Sequence, residues 1–172
     1  STTGGCHLDG TAALSSCINA RDVTFDSSGL MYILDGERLG RVRVLYGGKF
    51  YTIAGNLGHL TLGEDRRVSQ FSTLGHIHED SQNNIYFADG TAARLYKVTN
   101  GSSAVQSYLG NGNPYVNVQT NQPREGQPLG SHMANHTPIF GIDPQDRIYF
   151  RSGSVLRYVD SNDKIQNFTG TT

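Results

Sequence analysis

The chain has 172 residues, of which 17% are charged, and its net charge is −1. That is one domain's worth of sequence, long enough for a real core. A near-neutral balance without a basic run gives nucleic acid no electrostatic foothold. No apolar run approaches the ~20 residues of a helical membrane span.

Taken in order, residues 1–20 read as a leading loop holding both cysteines, Cys6 and Cys17. No signal peptide is visible, and a start at Ser1 reads as a mature or processed chain. Residues 21–55 form a first unit around the segment Asp26 to Asp35 (DSSGLMYILD). Residues 56–73 connect it to a second unit, residues 74–110, around Asp80 to Asp89 (DSQNNIYFAD). A long connector, residues 111–135, leads to a third unit, residues 136–172, around Asp143 to Ser152 (DPQDRIYFRS). Asp, turn-forming residues, an apolar residue and Tyr recur in one register, with 54 residues between the first two copies and 63 between the next. Self-similarity at such a period marks a repeat architecture.

Each unit carries four short β-branched or aromatic runs bounded by Gly, Asn, Asp and Ser, which read as strands. In the first unit these are Val23–Phe25, the YIL of 32–34, Arg41–Leu45 and Lys49–Ala54. No stretch has helical periodicity. The predicted fold is all-β, with three four-stranded antiparallel blades of a β-propeller. Closed propellers need about four to eight blades. Three blades therefore predict either a homo-oligomer, most simply a two-fold dimer with a six-bladed ring, or part of a larger propeller.

The pattern resembles the NHL repeat. The segment Asp9 to Asn19 leading into Asp22–Asp26, the YILD of 32–35 and the YTIAG of 51–55 match its sequence habit. The resemblance covers nearly the whole chain and fades in the third unit, where Asp becomes Ser152. It implies a propeller but not an activity, because such propellers serve as scaffolds, adhesins, receptors and a few enzymes. It also implies a disulfide between Cys6 and Cys17. The bland alternative makes Cys17 a buried apolar residue, since its register counterparts are Phe71 and, roughly, Met133. A disulfide would imply an oxidising compartment.

Asp35 and Asp89 recur at one position and so read as turn caps rather than an acid–base pair, with Arg41 and Arg94 as partners. His76 and His78 point to one side of a predicted inner strand and make a low-weight pair of metal ligands, for zinc or calcium. Their register counterparts (Asp22 and Ile139, Thr24 and Gly141) are not histidines, although His132 lies in the long connector and His136 directly follows it. Asp160–Asp163 (DSND) reads as turn chemistry without the distal Glu of a calcium loop.

Loops beyond ~12–15 residues in a compact domain are usually functional or disordered. The connector carries Asn113, Tyr115, Asn117, Gln119 and Arg124, and neighbouring loops carry Arg38, Arg66 and Arg67. Planar amides, an aromatic ring and arginines suit a carbohydrate or a protein surface. The function expected is non-enzymatic recognition or adhesion outside the cell. The alternatives are a metal-dependent lyase or hydrolase using the channel histidines, and a structural segment of a larger surface protein.

Overall fold

The computed structural model describes residues 8–36, 40–55, 71, 73–102, 104–110, 112, 126, 140–152 and 155–169. They form three four-stranded antiparallel sheets. Blade 1 is β1 (Ala20–Phe25), β2 (Met31–Asp35), β3 (Arg41–Tyr46) and β4 (Lys49–Ala54). Blade 2 is β5 (Leu74–Glu79), β6 (Ile85–Asp89), β7 (Arg94–Val98) and β8 (Val105–Leu109). Blade 3 is β9 (Phe140–Ile142), β10 (Ile148–Ser152), β11 (Val155–Val159) and β12 (Ile165–Thr169). Strands pair in chain order within each blade, and β5 lies against both β1 and β9. The chain is three blades of a β-propeller with the first strand of each blade innermost.

The recurring Asp closes the hairpin between the first two strands of every blade. Asp26 Oδ1 accepts the N–H groups of Ser28 and Leu30, both at 2.9 Å. Asp80 does the same for Gln82 and Asn84, and Asp143 for Gln145 and Arg147. Three residues after each Asp the backbone turns left-handed, at Gly29 (φ 83°), Asn83 (φ 60°) and Asp146 (φ 60°). This is a type I turn followed by a bulge, a three-residue hairpin loop that Asn and Asp tolerate where other side chains would be strained. Asp160 and Asp163 (φ 55°) repeat it between β11 and β12.

The core lies between blades rather than within them. Leu34, Val42 and Ala54 of blade 1 meet Ile77, Ile85, Phe87, Tyr96, Val98 and Val105 of blade 2, with Phe71 wedged between. Phe71 sits edge-on to Phe87, with centroids 4.9 Å apart. On its opposite face blade 2 offers Ala88, Leu95 and Leu109 to Ile148, Phe150, Val159 and Ile165 of blade 3. Gly55 ends β4 at φ 90°, and a Cβ there would stand 2.4 Å from the Gly40 carbonyl oxygen. Only glycine lets the chain leave the blade at that point.

Two features differ from the sequence expectation. Ala13–Ser15 form a 3₁₀ turn, the one helical element among the described residues. The leading loop is also paired: Gly10 N–H donates to the Phe50 carbonyl at 2.9 Å, and Asp9 Oδ1 accepts from Thr52 N–H and Oγ1. This strap covers the outer edge of blade 1, which would otherwise offer unpaired backbone groups.

Candidate functional site

The residues expected to contact ligand, Arg38, Arg66, Arg67, Asn113, Tyr115, Asn117, Gln119 and Arg124, lie outside the described residues. Cys17 is disulfide-bonded, and its expected partner Cys6 lies outside them too. His76 and His78 fall on β5, the inner strand of blade 2, which runs beside the inner strand of blade 1. There Asp22 Oδ2 stands 3.6 Å from His76 Nδ1 and accepts the Ile77 N–H at 3.0 Å. Asp22 thus ties two inner strands together. Among the described residues no three His, Cys, Asp or Glu side chains are grouped so as to hold a metal ion.

Asp35 is a structural group, as its recurrence implied. It accepts the Asn19 N–H at 3.2 Å and pairs with Arg41 at 2.8 Å. Asp89 accepts from Thr73, Thr91 and Ala92 N–H groups in the equivalent place. Blade 3 has Ser152 opposite Val155 where the other blades have Asp opposite Arg. The acid and the base facing it are replaced together, and the buried Arg157 that blade 3 retains at the Arg43 position bonds Asn167 Oδ1 instead.

One described surface that can hold a ligand is a groove of about 460 Å³ between blades 1 and 2. Tyr32, Val44, Tyr46, Tyr51 and Ile53 form one wall, and Asn83, Ile85, Val98 and Asn100 form the other. It opens at the hairpin ends of the blades, beside the first-to-second and third-to-fourth strand turns. The connectors leave from the opposite ends of the strands. Tyr46 is 67% exposed and Tyr51 37% exposed, flanking the Gly47–Gly48 turn. Tyr32 is fixed by donating its hydroxyl to Asp26 Oδ2 at 3.1 Å. Asn83 is held because its Oδ1 accepts both N–H and Oγ–H of Ser27. Aromatic faces beside positioned amides offer stacking and hydrogen bonding in one concave site.

The same register positions make a different groove between blades 2 and 3. Here Tyr86 replaces Tyr32, Lys97 replaces Val44, Tyr108 replaces Ile53 and Asp160 replaces Thr99, around about 820 Å³. Lys97 Nζ lies over the rings of Tyr86 and Tyr108, at 5.1 and 5.9 Å. Burial, reinforced by Asp163 and Asp80, raises the Tyr108 phenol to about 12. Burial and Asp80 raise Tyr86 as well. Both phenols stay protonated at neutral pH and act as neutral donors. One groove is thus apolar and tyrosine-rich, the other polar and charged. The recurring Tyr of the repeat marked one wall of each groove; the facing wall comes from a segment more than 50 residues away and has no local signature.

No protein-family model matches the sequence, and no curated protein does. Solved structures do match in fold. A protein of unknown function from Bacteroides thetaiotaomicron aligns with 88% of this chain at a TM-score of 0.60 and 15% identity. The extracellular domain of a protein described as a hybrid two-component system, from the same organism, aligns with 94% at 0.56 and 14% identity. This chain spans 36% and 20% of the length of those two structures.

Proposed function

We propose that this chain is a non-enzymatic recognition module, an NHL-type propeller segment of a secreted or cell-surface protein that binds carbohydrate. The observation that carries this reading is the groove between blades 1 and 2, where exposed Tyr46 and Tyr51 stand beside the amides of Asn83 and Asn100. Sugar rings present C–H faces to aromatic rings and hydroxyls to amides, so such a wall suits them. A disulfide at Cys17 fits an oxidising compartment. The fold is one also used by an extracellular domain. The connector at Asn113–Arg124, with Arg38, Arg66 and Arg67, is a second candidate contact surface, whose amides, aromatic ring and arginines suit a protein partner.

The test is a glycan panel screened against the intact chain and against Tyr46→Ala and Tyr115→Ala, with and without a chelator. Tyr46 is exposed, so its loss leaves the fold intact. Binding should weaken about tenfold in Tyr46→Ala, the equivalent of one aromatic contact, and should ignore the chelator. Binding lost only in Tyr115→Ala would move the site to the connector. Binding abolished by chelation would favour a metal site, and no glycan bound at all would sink the carbohydrate reading.

A further inference from the structure

The three hairpin turns are linked by a clasp that repeats from blade to blade. The residue one after the turn Asp donates its N–H and hydroxyl to the residue three after the turn Asp in the following blade. From blade 1 to blade 2, Ser27 N–H and Oγ–H reach Asn83 Oδ1 at 3.1 and 2.8 Å. From blade 2 to blade 3, Ser81 N–H reaches Asp146 Oδ1 at 2.8 Å and its hydroxyl reaches Asp146 Oδ2 at 2.5 Å. At the far end of the array the donor position of blade 3 is Pro144, which has neither N–H nor hydroxyl. At the near end the acceptor position of blade 1 is Gly29, which has no side chain.

We infer that the open face of blade 3 is the seat for blade 1 of a second copy of this chain, so that two copies close a six-bladed ring. Blade 3 carries Tyr149 and Phe168 at the positions where Tyr86 and Tyr108 of blade 2 pack against blade 3. Tyr149, Tyr158 and Phe168 form one ring cluster, with Phe168 edge-on to Tyr149 at 5.2 Å and still 59% exposed. Blade 1 offers Val23 and Phe25, 46% and 50% exposed. Their counterparts Ile77 and Ile142 pack against the preceding blade. The junction therefore continues the two interfaces already present. An ordinary blade after blade 3 would bring an Asn or Asp to Pro144 and leave it without a donor. Blade 1 brings Gly29 instead, and the missing acceptor meets the missing donor.

The experiment is light scattering and sedimentation on the 172-residue chain, with variants at the proposed junction. The chain should run at twice its 18.7 kDa. Phe168→Glu, at an exposed position, should weaken dimerisation about 100-fold with an unchanged circular dichroism spectrum. A Cβ on Gly29 meets nothing within 4 Å, and its left-handed φ of 83° is a strain that Asn bears better than other side chains, as Asn83 does at φ 60°. Gly29→Asn combined with Pro144→Ser would build the absent clasp across copies. The double variant should dimerise about tenfold more tightly than the two single effects combined. A chain that stays monomeric would overturn the inference and leave the face to further blades of a longer polypeptide. A trimer, a dimer indifferent to Phe168→Glu, or independent effects of the two clasp substitutions would also overturn it.

Discussion

Glu79 ends the inner strand of blade 2 beside two other carboxylates. Burial first, then Asp26 and Asp80, raise its pKa, and its Oε2 has no hydrogen-bond partner among the described residues. The folded state thus holds the Glu79 proton more tightly than the unfolded chain does. Its stabilising effect is complete below the ordinary carboxylate range and is lost as pH rises towards the raised folded value. Glu79→Gln should then be more stable than the parent at neutral pH, with the advantage vanishing in acid. Thermal unfolding at pH 3.5 and 7 checks this, and equal melting shifts at both would refute it. Asp26 works in the opposite sense. Burial raises its pKa, but hydrogen bonds from Ser28, Leu30 and Tyr32 outweigh that and leave it lowered. What Asp26 contributes is present above the ordinary range and lost as pH falls.

Within a single hairpin, the turn Asp is worth as much as the polar groups it would strand. Asp80 is buried and also accepts from Asn84 Nδ2 at 2.7 Å and from the Tyr86 hydroxyl at 3.1 Å. Asp143 lies nearer solvent, where Arg147 caps it at 2.7 Å and water can replace what is removed. Asp80→Ala should cost about 2–4 kcal/mol and Asp143→Ala about 1, measured by urea denaturation; equal costs would mean that burial is not what distinguishes the two turns. These hairpins were legible in the sequence, because an Asx-capped turn is a local device written within five residues. The interblade clasp was not, since donor and acceptor belong to different repeats. Arg43 was not either: reading Arg41–Leu45 as a strand says nothing of which of its side chains is buried, and Arg43 is fully buried. The strap places Asp9 3.6 Å from Arg43, and its Leu8 carbonyl accepts from Arg43 Nη2 at 3.3 Å.

Across the whole array each blade stabilises only its neighbours, so protection should follow position in the row. Blade 2 is covered on both faces: β6 is buried throughout and β7 nearly so, and its side chains belong to both interblade cores. Blade 1 presents β1 with Val23 and Phe25 exposed, and blade 3 ends in β12, whose last three residues are exposed. In quasi-one-dimensional repeats the terminal units open first, because each lacks one of the two interfaces that an inner unit has. Amide hydrogen exchange on the chain held monomeric by Phe168→Glu should therefore be slowest in β6 and β7 and fastest in β1 and β12. The strap should slow β4 relative to β12, because β4 has a partner on its outer edge through Gly10 and Thr11. In the parent protein at dimer-forming concentration, β1 and the blade 3 strands should gain protection while β6 and β7 change little. Uniform exchange across the blades would mean that the three fold as one cooperative unit and that the interblade cores do not limit local opening. A gain confined to β6 and β7 would place the contact between copies somewhere other than the ends of the row.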